Sequence, residues 1–340
     1  MFKNHIVTAS DEPVSVIICA RNEAEELQKN LPSILNQDYN NYEVIVVNDC
    51  STDDTGLILS KFKQEYDHLK VSTIQQDRKF FHGKQLAVTI GVKAARYEAL
   101  LFTDPYCRAS SNHWIKKMQR NIIPKVSFVL GYERYERKKG LFNRFIRFDR
   151  MFTALQYFSL ALAGNPFKGF DKNICYRKSF FFKCKNFASR YQLTNDDSLL
   201  INDIATKQNT AIEFDSESHI ISQANYTIRE WFRKKLRNFQ SATKYKAKTK
   251  FVLSTEIISR LFFYVSFIFM FFWGMQLFPY FLYVFLSREI IQLLVIKTTM
   301  NRLSEKKIFL LTPLFDIIIP FFYFVILLNK LLITDKSSWK

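Results

Sequence analysis

The sequence predicts an α/β domain built on a mainly parallel sheet flanked by helices, with about three transmembrane helices after it. Two observations carry that reading. Between residues 14 and 133, short apolar runs alternate with helically spaced segments, the rhythm of a sheet covered on both faces. From Leu261 to Leu286 there are 26 residues without one charge, where a span needs about 20.

The elements follow in order. VSVIICA (14–20) reads as a buried strand. AEELQKNLPSIL (24–35) has helical spacing broken by Pro32. EVIVVND (43–49) is a second strand, and a helix follows from Asp53 to Tyr66 with Ser51 and Asp54 spaced as a capping box. LKVSTIQ (69–75) is a third strand, GKQLAVTIGVKAARY (83–97) an amphipathic helix, and EALLFTD (98–104) a fourth strand. SSNHWIKKMQRNI (110–122) reads as helix and SFVLGYE (127–133) as strand.

Composition excludes several classes. The 340 residues include 35 Phe and 16 Tyr but only 8 Gly, so the chain can bury a large core and is not disordered. The glycines, at 56, 83, 91, 131, 140, 164, 169 and 274, admit neither G-x-G-x-x-G nor G-x-x-x-x-G-K-[ST], which removes the dinucleotide fingerprint and the Walker A loop. Five cysteines form no C-x-x-C and five histidines show no zinc spacing. That cysteine usage fits a reducing compartment. The first fifteen residues hold no apolar core of a secretory signal.

The net charge of +18 is local. Residues 1–124 balance 15 basic against 15 acidic side chains, whereas 125–190 carry 15 against 4 and 229–250 carry 9 against 1. A basic excess suits nucleic acid, an anionic membrane or anionic substrates. Nucleic acid is not expected, because the basic segments adjoin membrane-directed sequence and no nucleic-acid motif is visible.

Three spans are expected, at about 256–275, 277–297 and 308–330, with a turn near Gly274–Pro279. A single kinked span over 261–286 is the alternative. Arg288, Glu289 and Asp316 fall inside the apolar segments. Intramembrane charges are costly and usually paired, so Arg288 and Asp316 are a candidate interhelical pair, unless both mark an interfacial position. The basic segment before the first span and Lys297, Arg302, Lys306 and Lys307 in the second loop predict a multi-pass protein of the inner or plasma membrane with its soluble domain in the cytoplasm. The aromatic and basic stretch 141–164 reads either as a core helix or as an interfacial helix laid on lipid.

Polar residues collect at the strand ends: Ala20-Arg21-Asn22-Glu23, Asn48-Asp49-Cys50-Ser51 and Thr103-Asp104. Ligands of open α/β sheets bind beyond such ends. Asp49 alone reads as a cap or turn residue. Two carboxylates, Asp49 and Asp104, at two strand ends of one sheet point to a site.

At these residues the sequence resembles family-2 glycosyltransferases with the GT-A fold, a Rossmann-like arrangement. VSVIICARNEAEELQKNLPSILNQDYNNYEVIVVNDCSTDDT (14–55) resembles the family's opening, and HGKQLAVTIGVKAA (82–95) its G-K-x-x-A-x-x-x-G helix. LLFTDPYCRASSNHW (100–114) resembles the metal segment, GFDKNICYRKSFFF (169–182) a G-x-x-x-N-x-A-Y-R-K segment, and TNDDSLL (194–200) the E-D-x-x-L segment. The matches recur in order over residues 14–240, ending where REWFRKKLRNF (229–239) stands for the family's Q-x-x-R-W.

The resemblance implies a sugar-nucleotide-dependent, inverting transferase. It implies a nucleotide-sugar half (1–124), an acceptor and catalytic-base half (125–228), a basic juxtamembrane segment (229–255) and a transmembrane region (256–335). Asp49, Ala20, Arg21 and Glu23 would hold the nucleotide, and Asp104 would present Mg²⁺ or Mn²⁺ to the diphosphate. Asp197, beside Asp196, would be the general base, although the two acids also suit the start of a helix. Lys84 and Arg237 would add positive charge for the leaving diphosphate, and Lys84 also reads as a surface lysine. The acceptor would be lipid-linked or a cell-envelope glycan.

Two residues depart from the pattern. The second acid of D-x-D is Tyr106, and only Arg237 keeps register in the Q-x-x-R-W region. The second departure argues against a processive polymer synthase. The first leaves three outcomes: metal held by Asp104 alone, charge neutralisation by Lys84, Arg233 or Arg237, or a non-catalytic member acting as a membrane scaffold.

Overall fold

The structure is a computed structural model that describes residues 11–75, 83–183, 198–224, 226–273 and 276–332. The chain forms two compact units, one of residues 1–136 and 153–225, the other of 137–152 and 226–340.

The first unit is built on a seven-stranded sheet. β1 (Val14–Ala20) lies between β2 (Tyr42–Asp49) and β4 (Ala99–Thr103), and β3 (Leu69–Ile74) follows β2. These four strands are parallel. Their apolar runs are continuous because both faces are covered: Val16, Val44, Ile45, Val46 and Leu101 are wholly buried. The polar residues that enter this core are partnered. Ser15 donates to Glu43 at 2.6 Å, and Glu43 also meets Lys70 at 2.6 Å.

Beyond β4 the order becomes β8 (Ile174–Arg177), β6 (Phe128–Leu130) and β9 (Thr210–Ile212). β8 is antiparallel to both of its neighbours. A smaller sheet joins β5 (Cys107–Ala109), β10 (Ile220–Ser222) and β7 (Glu133–Tyr135).

α1 (Ala24–Leu35), α2 (Thr55–Glu65) and α3 (Lys84–Ala94) connect the parallel strands. α1 runs through Pro32, where a break was expected: the proline forfeits one donor, yet Asn36 N still closes the last turn on Pro32 O at 3.0 Å. The expected Ser51–Asp54 capping box does not form, because Ser51 Oγ instead accepts from Asn22 N at 3.0 Å. α3 approaches β1 closely at Gly91, where a Cβ would lie 2.7 Å from Ile17 Cγ2. α4 (Trp114–Gln119) is shorter than the segment expected. Trp114 is fully buried and donates to Asn173 Oδ1 at 2.9 Å, so it packs in the core.

α5 (Leu141–Leu162) begins in the second unit and ends in the first. α6 (Lys178–Lys183) and α7 (Ser198–Ile204) belong to the first unit.

The second unit also holds α8 (Ile228–Ala242), α9 (Ala247–Trp273), α10 (Phe278–Arg302) and α11 (Thr312–Leu332). Thr227 and Glu230 cap α8 reciprocally. Three segments, Ala247–Phe272, Phe278–Arg302 and Phe309–Ile326, are long and apolar enough to cross a membrane. Gly274, at the expected turn, lies outside the described residues. Asp316 is fully buried and meets Arg288 at 3.0 Å and Arg260 at 3.2 Å, so the expected Arg288–Asp316 pair is present. Tyr264 also bonds Asp316. The first turns of α5 face inward within this unit. Arg147 is buried against Glu305, and Phe145 and Phe148 pack on Phe315 at 5.4 and 5.6 Å. For these residues the core reading of 141–164 holds, and the interfacial reading does not, because the arginine finds a buried carboxylate partner.

Candidate active site

Strand register builds the site. Ala20 pairs with Asn48, and Ile18 pairs with Thr103. Arg21, Asp49 and Asp104 therefore leave the sheet at one edge. With Cys19, Ala20, Glu23, Gly83, Lys84, Ala87, Pro105 and Tyr106 they line a cavity of about 260 Å³.

The rim is fixed by backbone bonds to short side chains. Asn22 and Cys50 take left-handed backbone conformations, with φ of 55° and 53°. The amide of Glu23 donates to Thr55 Oγ1 at 3.0 Å, that of Ala24 to Asp53 Oδ2 at 3.2 Å, and that of Thr52 to Asn22 Oδ1 at 2.7 Å. The turns after β1 and β2 are thereby tied to each other.

The floor holds two unsatisfied acids. Asp49 is 4% exposed, and its Oδ1 is buried without a hydrogen-bond partner. Such an orphan acceptor in a cavity suits a ligand's donor. Glu23 Oε2 is likewise unpartnered. Burial, then the charges of Asp104 and Glu26, push the Glu23 carboxyl up to about 7, against the opposing pull of Lys84 and Lys172.

Asp104 is the centre of a charged cluster. Lys84 Nζ lies 3.2 Å from Asp104 Oδ1 and 3.3 Å from Asp171 Oδ2. The Tyr106 hydroxyl donates to Asp104 Oδ2 at 2.8 Å. Lys172 Nζ is 4.0 Å from Asp104, 3.3 Å from Glu133 and 4.4 Å from the centre of the Tyr106 ring. Burial, then the charges of Asp104 and Asp171, drive the Tyr106 phenol well above its ordinary range, so it stays protonated.

The structure thus brings together Ala20, Arg21, Glu23, Asp49, Lys84 and Asp104. Asp196 and Asp197 lie outside the described residues, as does His82. Arg237 is an exposed residue of α8 in the second unit. Asp171, Lys172 and Glu133 were not foreseen. Asp171 and Lys172 sit inside the GFDKN segment, whose charged pair was the only available signal.

The family model for glycosyl transferase family 2 matches residues 15–190, just over half of the chain. The chain belongs to glycosyl transferase family 2. This glycosyltransferase is 29% identical over 136 residues to a poly-β-1,6-N-acetyl-D-glucosamine synthase of Staphylococcus epidermidis, covering 39% of the present chain and 31% of that protein. It is 32% identical over 105 residues to an uncharacterized glycosyltransferase of Haemophilus influenzae, covering 31% of each chain. It therefore spans about a third of the length of these curated relatives. Its fold is similar to that of mannosyltransferase PcManGT of Pyrobaculum calidifontis, solved with GDP-Man and Mn²⁺. The TM-score is 0.60 at 16% identity, over 97% of this chain and 90% of that one. The GT-A arrangement of the sheet agrees with that likeness.

Proposed function

We propose that this family-2 glycosyltransferase is a multi-pass membrane enzyme that transfers a sugar, with inversion, from a nucleotide diphosphate to a lipid-linked or cell-envelope glycan acceptor. One observation carries the donor half of the reading: the strand-end residues converge on one cavity whose buried Asp49 lacks a partner. Asp49, Ala20, Arg21 and Glu23 receive the nucleotide, and Lys84 and Arg237 supply charge to the diphosphate. The acceptor oxygen attacks the anomeric carbon, the bond from that carbon to the diphosphate oxygen breaks, and the acceptor proton passes to a carboxylate. Asp197, with Asp196 beside it, is the assigned base.

Mg²⁺ or Mn²⁺ at Asp104 is what the family resemblance implies. The donors brought there suit a hard cation poorly. They comprise the Asp104 carboxylate, one protonated phenol and two ammonium groups within 4.0 Å of that carboxylate. Among the described residues no group of three or more His, Cys, Asp or Glu side chains is placed to hold a metal ion.

The acceptor half of the reading rests on the three candidate spans and on the likeness to the poly-β-1,6-N-acetyl-D-glucosamine synthase segment. The loop bearing Arg302, Lys306 and Lys307 faces the cytoplasm, as does the catalytic domain. Calorimetric titration with UDP-, GDP- and dTDP-sugars tests the donor assignment, and failure of all to bind removes it. A second reading, a non-catalytic membrane scaffold of the same pathway, is favoured by Tyr106. It predicts nucleotide binding without turnover, unchanged by Asp197→Asn.

A further inference from the structure

The cluster around Asp104 contains a cation that belongs to the chain. The Lys84 ammonium lies nearly midway between two carboxylate oxygens, 3.2 Å from Asp104 and 3.3 Å from Asp171. That is the bridging role a divalent ion plays between acidic ligands. The position following Asp104 by two, where D-x-D would supply a second acid, holds Tyr106, and its hydroxyl spends its proton on Asp104 Oδ2 at 2.8 Å. A phenol that donates in this way offers no anionic oxygen to a metal.

A second ammonium reinforces the first. Lys172 is 4% exposed, lies 4.4 Å over the Tyr106 ring, and is held by Glu133, which is fully buried and also accepts from Ser222 at 2.6 Å. The ring face and the carboxylate both favour its charged form. Tyr106 therefore sits where it fixes one face of Asp104 and stacks beneath Lys172.

We propose that Lys84, seated between Asp104 and Asp171 and seconded by Lys172, neutralises the donor diphosphate in place of a divalent cation. The inference rests on the donor reading above. It assigns Asp104 to holding an ammonium and Asp171 to sharing it. It also assigns Tyr106 a positive role, since an acid there would add negative charge that only a metal offsets. Both lysines are tethered by carboxylates, so the positive charge is in position before the nucleotide arrives.

The test is calorimetric titration of the detergent-solubilised full chain with UDP, GDP and dTDP, each in EDTA and in Mn²⁺. At least one nucleotide is expected to bind in EDTA within about threefold of its affinity in Mn²⁺. Lys84→Gln should weaken binding in EDTA by at least about tenfold, the scale of a lost charge-assisted contact, while Lys84→Arg retains most of it. Tyr106→Asp should make binding depend on Mn²⁺. A thermal unfolding midpoint within a few degrees of wild type identifies variants that are folded. Wild-type binding that requires Mn²⁺, or a folded Lys84→Gln that binds as tightly as wild type in EDTA, overturns the proposal and leaves the donor reading intact. Failure of all three nucleotides under both conditions overturns the donor reading itself and the proposal with it.

Discussion

Arg288 of α10 and Asp316 of α11 meet at 3.0 Å within the group of apolar helices, and Arg260 of α9 reaches the other oxygen of the same carboxylate at 3.2 Å. One fully buried acid therefore joins three helices. Removing a lone partner from a buried pair costs about 3–5 kcal/mol because it strands a charge. Asp316→Leu strands two guanidinium groups, whereas Arg288→Leu leaves Asp316 with Arg260. Thermal unfolding in detergent should show the larger loss for Asp316→Leu. Equal losses in the two variants would mean that the carboxylate is not the hub.

Glu23 gives a pH signature. Its native carboxyl titrates near 7 against an ordinary 4.5, so between those values the native state holds a proton the unfolded state has released. Stability then falls as pH rises through that window and is unaffected by this group below it. Glu23→Gln should match wild type at pH 4.5 and exceed it increasingly up to pH 7–8. The measurement is the unfolding midpoint of both proteins across that range, and parallel curves would discount Glu23.

Asp49→Ala removes the orphan buried acceptor. A hydrogen bond to a charged group contributes about 1.5–3 kcal/mol, so affinity for the preferred nucleotide should drop roughly 10- to 150-fold. The unfolding midpoint should not fall, because no protein donor is lost at Oδ1. Titration calorimetry and a thermal melt read both outcomes.

Asp197→Asn should leave nucleotide affinity in place and reduce sugar transfer by about 10²–10⁴, the usual contribution of a general base. Radiolabelled transfer into a membrane lipid extract reads the rate. Transfer at the wild-type rate would reassign the base.

Gly91→Ala should destabilise by about 1–3 kcal/mol through overpacking. The new methyl would sit 2.7 Å from Ile17 Cγ2 and 3.3 Å from Val47 Cγ2. Chemical denaturation reads the difference. Unchanged stability would show that α3 can slide away from β1.

The sequence made much of this architecture legible, and for identifiable reasons. β1, β2 and β4 are unbroken apolar runs that end in acids, so both the strands and the edge where Asp49 and Asp104 emerge could be read from pattern alone. The three candidate spans were legible from length without charge. What escaped depends on contacts distant along the chain. Asp171 reaches Lys84 from 87 residues away. Arg147 reaches Glu305 across 158 residues. Neither partner is marked by local periodicity. β8 enters antiparallel between β4 and β6, a reversal that an alternating rhythm of strand and helix does not announce. The Ser51–Asp54 spacing was misleading because Ser51 serves a neighbouring turn.

The tied rim has a consequence for how substitutions there should be judged. Asn22, Ser51, Asp53 and Thr55 are small polar residues close to solvent, of the kind a substitution survey would pass over as neutral. Each one terminates an amide of the opposite turn or of its own. Replacing any of them by alanine changes no group that lines the cavity, yet it frees a stretch of main chain that a nucleotide must then immobilise on arrival. Selectivity at this mouth is therefore carried partly by residues that never touch the ligand, and its loss would register as a less favourable binding entropy.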